Sequence, residues 1–228
     1  MNVNMNTDSS FDVNLSSGLA LPAAHQGRSR ITAERFVEAA LDLLQTCTFD
    51  ELSVADLARR AERSVGAFYQ RFGSKDDFLA SLLVTYMSAR ERSVERLLAD
   101  GDDESVLEAV LADNYEALMR NRNLWHAALR KSAQNPGFWA QFQVFIQRRP
   151  AIMAARLGEI RGQPLQPEEI HRLRIALQVV NSVINNQMMN NPGPLTLNTP
   201  EFLPTLLAVF RAVRAADLEG PVQPAEIS

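Results

Sequence analysis

Three serines do most to limit what this chain can fold into. Ser53, Ser64 and Ser74 stand roughly ten residues apart, and each can accept a hydrogen bond from the free N–H groups of a helix that begins just after it. Asp56 and Asp77 follow the first and third of them at the spacing of a capping box. Helices are therefore predicted from Ser53 to about Ala61, from Ser64 to Gly73, and from Ser74 onward. The two lying between the serines have room for only about two turns each. Helices so short do not stand alone in water, so a third must cover them. The preceding segment supplies that cover. Ala33, Val37, Ala40, Leu41 and Leu44 recur at helical spacing between Thr32, the expected cap, and Cys47. Leu57 and Ala58 on the first short helix, and Val65 and Phe68 on the second, give the pair its inner faces. Two short helices meeting at a tight turn under a third make a helix-turn-helix layout.

The rest of the chain reads as helix as well. The helix opened by Ser74 carries Phe78, Leu82, Leu83, Met87 and Val94 to about Ala99. A turn at Gly101 precedes helices over about Asp103–Arg120 and Leu124–Ser132. Asn135-Pro136 starts another, with Asn as cap and Pro at the first helical position; Pro150 should kink or break its continuation. Pro167 opens a helix to about Asn190. A last one runs from Thr199 to about Ala216, with its regular part delayed by Pro204. No alternating β-branched run of useful length appears. The fold class expected is all-α. Residues 1–27, rich in Asn and Ser, read as a flexible tail, 28–78 as the helix-turn-helix head, 79–218 as a larger helical domain and 219–228 as a frayed end.

Composition removes several classes. Hydrophobic residues make up 46% of the 228, enough for a core, and the formal net charge of −4 excludes a globally basic nucleic-acid coat while leaving room for a local basic surface. The single cysteine, Cys47, forms no internal disulfide and reads as a small buried hydrophobe. No apolar run approaches the ~20 residues of a membrane span, and the N-terminus lacks the pattern of a signal peptide. The expected compartment is the cytoplasm.

The outward residues of the second short helix carry the chemistry. Gly66 and Ala67 are small enough for close approach of a surface. Tyr69, Gln70 and Arg71 offer hydrogen bonds: a tyrosine hydroxyl suits a phosphate oxygen, and a glutamine suits a base edge, adenine above all. The helix ends at Ser53 and Ser74 present N–H groups and positive dipole ends to anions, and Lys75 adds a charge. Arg63 and Ser64 border the turn. Arg28 and Arg30 stand on the arm ahead of the head, where they could reach a minor groove or the backbone.

The stretch Ile31–Phe78 resembles the DNA-binding head of the TetR-type, or tetracycline-repressor-like, transcriptional regulators. The resemblance rests on Ile31, Ala39, Ala40 and Leu44, on Ser53, Val54, Ala58 and Ala61, and on the run Ser64, Val65, Gly66, Ala67, Phe68, Tyr69, Phe72, Ser74, Lys75 and Phe78. It implies that the helix holding Gly66 to Arg71 lies in a major groove. Tyr69, Lys75 and the helix start at Ser53 then touch phosphates, while Phe68 and Phe72 pack inward. One departure stands in the turn: Glu62-Arg63 replaces the family's usual glycine and aliphatic residue. Glycine tolerates a positive φ and glutamate does so poorly, so the turn is either strained or differently shaped.

For the larger domain the resemblance implies ligand binding and dimerisation, with the last two long helices forming a four-helix bundle with a second copy. Ile175, Leu177, Val179, Val180, Val183 and Ile184 spread around more of their helix than one core stripe needs, which fits. A pocket for a small apolar or aromatic effector is expected among Tyr115, Trp125, Trp139, Phe142, Phe145 and Met188, with Gln178, Asn181, Asn185 and Gln187 as its polar groups. The whole then reads as a ligand-responsive homodimer on a near-palindromic double-stranded operator, a repressor that the effector releases. Two rivals stay open. A helical adaptor would use the short-helix unit to hold a protein. An enzyme would need more than the half di-iron motif Glu168-x-x-His171, and with three histidines and one cysteine no metal or other cofactor is implied.

Overall fold

The computed structural model describes residues 23–217. The expected tail up to residue 22 and the expected frayed end over 219–228 lie outside the described residues. Among those residues the chain is all-α: α1 (Ala23–Leu43), α2 (Val54–Arg60), α3 (Val65–Phe72), α4 (Lys75–Asp100), α5 (Val106–Arg120), α6 (Arg122–Gln134), a 3-10 helix (Pro136–Phe142), α7 (Gln143–Arg161), α8 (Pro167–Asn190) and α9 (Phe202–Ala215). No helix among them is long and apolar enough to cross a membrane. The chain divides into two compact units, one ending at Ala89 and the next beginning at Arg90, so the division falls inside α4.

The first unit is built as the serine spacing requires, and its centre is aromatic. Phe36, Phe68 and Phe78 are fully buried. Phe36 meets Phe68 edge-on at 5.3 Å and Phe72 at 5.9 Å, and Phe78 closes the group at 5.1 and 4.7 Å from Phe68 and Phe72. Burying one such side chain is worth roughly 1.5–3 kcal/mol, and edge-to-face pairs add about 0.5–1.5 kcal/mol each. Helices two turns long have little stability of their own; the shared rings hold them. Phe36 lies on the same face of α1 as Ala33 and Ala40, although the sequence pattern as read did not include it.

Two expectations for α1 need correction. The helix starts at Ala23, not at Thr32, because after Pro22 no second proline intervenes and Gly27 alone does not stop a helix. It also ends at Leu43, so Cys47 lies in the following turn, half-exposed, with its thiol 3.2 Å from the Leu43 carbonyl.

In the second unit a core of Val94, Leu107, Val110, Met153, Leu157, Leu173, Val180, Ile184, Leu206, Phe210 and their neighbours joins α4, α5, α7, α8 and α9. Arg90 of α4 pairs with Asp113 of α5, and Arg148 of α7 bridges Glu91 and Glu95 at 3.2 and 2.9 Å. Arg161 sits between Glu104 (2.6 Å) and Glu169 (2.5 Å), and Glu104 also reaches Arg214 at 3.2 Å. The Arg161 guanidinium holds the Glu104 carboxyl below the ordinary range. Pro150 does not interrupt α7. The change of geometry comes earlier, where the 3-10 helix gives way to α7 at Phe142–Gln143; Asn135 caps the start of that 3-10 helix by accepting from the Gly137 N–H, as the Asn-Pro signal predicts.

Candidate functional site

The head is assembled from three helix starts. At α2, the Ser53 hydroxyl accepts from the Asp56 N–H at 3.0 Å and donates to the Asp56 carboxylate at 2.5 Å. That hydroxyl holds the Asp56 carboxyl below its usual range. At α4, Ser74 does the same with Asp77, at 3.0 and 2.6 Å. At α3, Ser64 accepts from the Ala67 N–H at 3.1 Å, and no acid stands in the first turn. The three termini therefore differ. Carboxylates already answer the positive ends of α2 and α4, whereas the start of α3 is left to whatever approaches it.

The turn between α2 and α3 keeps the shape that a glycine would make easy. Glu62 has φ 55, in the left-handed region. Its N–H bonds the Arg59 carbonyl at 3.2 Å, and the next N–H, of Arg63, reaches back to the Ala58 carbonyl at 2.9 Å. This pair of bonds is the Schellman closure of a helix end. Of the two outcomes left open by the sequence, a strained turn is the one found. The Arg63 guanidinium then folds onto the Glu62 carbonyl at 2.8 Å.

α3 presents two unlike faces. Phe68 and Phe72 point into the aromatic core; Val65, Gly66, Tyr69 and Gln70 are exposed, and Ala67 is half-buried. The Tyr69 ring stands edge-on to Phe68 at 5.4 Å, which fixes the direction of the phenol arm while half of the residue stays in solvent. Val65 was expected on the inner face and is instead 42% exposed. With Phe68 and Phe72 carrying the contact, the core has no place for a side chain at the first helical position.

The cations are less free than their number suggests. Arg59 pairs with Asp56 at 2.5 Å and Arg60 with Asp42 at 2.7 Å. Arg71, expected to face outward, is half-buried, with its guanidinium 5.6 Å from the Phe72 ring centre. Lys75 donates to the Asp50 carbonyl at 3.1 Å and lies 4.9 Å from the Phe49 ring centre. Arg28 and Arg30 fall within α1 and not on an arm ahead of it; Arg30 is exposed and 3.6 Å from Glu34.

In the second unit the expected pocket residues separate. Trp125 donates to the Asn185 carbonyl oxygen at 2.9 Å and lies 5.5 Å from Trp139, which in turn lies 5.5 Å from Phe142. Phe142 is fully buried, so it is core. Tyr115 donates to the Leu197 carbonyl and packs near Phe202 at 5.7 Å; burial pushes its phenol upward. Phe145 is half-buried, and Met188 packs against the core. Gln178 and Asn181 are exposed and line nothing internal, since the buried stripe of α8 runs through Leu173, Leu177, Val180, Ile184 and Gln187. The Gln187 Oε1 is buried without a hydrogen-bond partner. A shallow groove, open to solvent, lies elsewhere, between Leu157, Arg161, Leu165, Glu169, Arg172, Leu173 and Arg214. Neither Glu168 nor His171 belongs to a group of three metal-capable side chains among the described residues.

Comparison with known proteins follows the same division. Residues 36–82 match the model of the bacterial regulatory proteins, tetR family. An uncharacterized HTH-type transcriptional regulator of Bacillus subtilis (strain 168), YwcC, is 40% identical over 86 residues, 33% of this chain and 39% of the relative. The chain thus matches about two-fifths of that relative's length. Two solved structures share the fold over 82% of this chain. One, a TetR transcriptional regulator from Rhodococcus sp. RHA1, is 18% identical, with a TM-score of 0.51 over 97% of its own chain. The other, assigned to the TetR-family transcriptional regulators and coming from Mesorhizobium loti MAFF303099, is 17% identical, with a TM-score of 0.59 over 96% of its chain. Over residues 36–82, the helix-turn-helix head thus resembles the tetR family of bacterial regulatory proteins.

Proposed function

We propose that the protein is a DNA-binding transcriptional regulator whose α3 enters the major groove of a duplex. One observation carries the reading: the two faces of α3 are divided between an aromatic core and an exposed surface made of Gly66, Tyr69, Gln70 and Val65. Small residues let a helix approach a groove closely, a rigid phenol reaches a phosphate oxygen, and a carboxamide pairs with a base edge. The uncharged start of α3 and the Arg63 and Ser64 flank favour an anionic partner.

The active unit is a homodimer formed through α8 and α9. Beside its buried stripe, α8 carries Ile175, Val179 and Val183, spaced by one turn and only partly covered, and a second apolar row of this kind favours a partner helix. Two heads then meet successive major grooves about 34–36 Å apart on a near-palindrome. A small apolar or aromatic effector, held near Trp125 and Trp139, releases the repressor from its operator. Linkage requires that operator weaken effector binding by the same factor.

Selection of bound duplexes from a random pool, followed by gel shift of the full chain, tests the reading. A recurring near-palindrome is the expected result; retention of all sequences alike at low ionic strength would refute it. Effector titration with and without the selected duplex tests the repressor mechanism, and equal affinities would defeat that part alone.

A further inference from the structure

Resting on that reading, we propose that Val65 is a specificity-determining residue that recognises a thymine through its 5-methyl group. Two independent observations lead there. Val65 occupies the first position of α3, 42% exposed, on the same side as Tyr69 and Gln70, and it is the aliphatic side chain of that exposed face. Gly66 beside it has no structural reason to be glycine. It lies within the helix, its φ is not positive, and a Cβ there would meet only the Ser64 Oγ at 3.8 Å, ordinary contact distance. A glycine inside a helix weakens it relative to alanine. Where the fold leaves room for a methyl group, keeping the position bare serves a surface that comes close from outside.

Together the two residues form a notch: an apolar isopropyl wall from Val65 and an open backbone floor at Gly66. In the major groove the thymine methyl is the one apolar group on a base edge, and small aliphatic side chains are its natural contacts. Tyr69 and Gln70, one turn further along α3, supply polar contacts on the same face and leave the apolar one to Val65. The proposal concerns one thymine in each half-site, near the N-terminus of α3, and so a symmetric pair in the whole site.

The test uses the full-length protein and its selected duplex. Each thymine is replaced in turn by deoxyuridine, which keeps the pairing edge and O4 and removes only the methyl. Burial of one such group predicts about a fourfold loss of affinity at a single half-site, and about fifteenfold when both symmetric thymines are changed. With Val65→Ala the same replacement should cost less than twofold, because the partner of the methyl is gone. Gly66→Ala should raise the melting temperature of the protein while weakening the selected duplex at least tenfold. Equal sensitivity of the Val65→Ala variant and the parent to loss of the methyl would overturn the assignment. So would a bound site that tolerates deoxyuridine everywhere, although DNA recognition itself would then stand. If no sequence is selected at all, the regulator reading falls first and this assignment with it.

Discussion

Glutamate at position 62 makes the head less stable than its own backbone allows. The left-handed conformation required at the Schellman position costs a non-glycine residue roughly 1–2 kcal/mol. Glu62 holds φ 55 there because the Arg59 and Ala58 carbonyls need the N–H groups of Glu62 and Arg63. Glu62→Gly removes that strain but gives the unfolded chain more freedom, which returns about 0.4–1 kcal/mol. The net expectation is a gain of about 0.5–1 kcal/mol, or roughly 2–4 °C per kcal/mol in a chain of this size. Loss of the charge is controlled by Glu62→Ala, which keeps the strain and should stay within about 0.5 kcal/mol of the parent. Urea unfolding followed by circular dichroism at fixed protein concentration gives the global value. Hydrogen exchange of the α2 and α3 amides reads the head directly. If Glu62→Gly were no more stable than Glu62→Ala, the left-handed turn would not be a source of strain and the reasoning would be wrong.

Three further outcomes follow from other contacts. Gly73→Ala should destabilise the head by about 1–2 kcal/mol in the same urea assay; φ 75 and the Ser74 N–H to Phe72 carbonyl bond form a strained γ-turn, and space is not the obstacle, since the added Cβ would lie 3.5 Å from Asp77. Tyr69→Phe should weaken binding to all duplexes alike, whereas Gln70→Ala should change base preference in a repeated selection; uniform loss from both would remove the base-reading role of Gln70. The Glu104 carboxyl is held low by Arg161, and Glu169 by the Gln166 N–H and then Arg161. Their contribution is therefore present above the ordinary carboxylate range and is lost as pH falls through the depressed values. Glu104→Gln should lower stability by about 1 kcal/mol or less at pH 7, given the partial exposure of the group, and the gap to the parent should close toward pH 3. A gap that persisted unchanged in acid would assign the effect to packing.

Local chemistry explains why some of this was legible in the sequence. The serine caps, Pro167 and Asn135-Pro136 act on the next few residues, so α2, α3, the start of α4 and the limits of α8 could be read directly. The inner role of Phe68 and Phe72 and the outer role of Tyr69 followed from their positions around α3. What failed depended on distant partners. Val65 had the composition of a core residue, and only the arrangement of Phe36, Phe68, Phe72 and Phe78 reveals that the core is already filled. Arg71 and Lys75 counted as outward cations until the rings of Phe72 and Phe49 were in place. Gln178 and Asn181 lie within one helix of correctly read limits but on its exposed side, which periodicity leaves ambiguous when apolar residues encircle the helix.

The parking of Lys75 affects how tightly the protein can hold a polyanion. Arg59 and Arg60 already face carboxylates, so handing them to phosphates means breaking ion pairs first. Lys75 and Arg63 rest on carbonyl oxygens, neutral partners that they can exchange at small cost. If the protein binds a duplex as proposed, few counterions are then expelled. A grip of this kind loosens gently as ionic strength rises, and the choice among sequences falls to shape and base edges more than to bulk attraction.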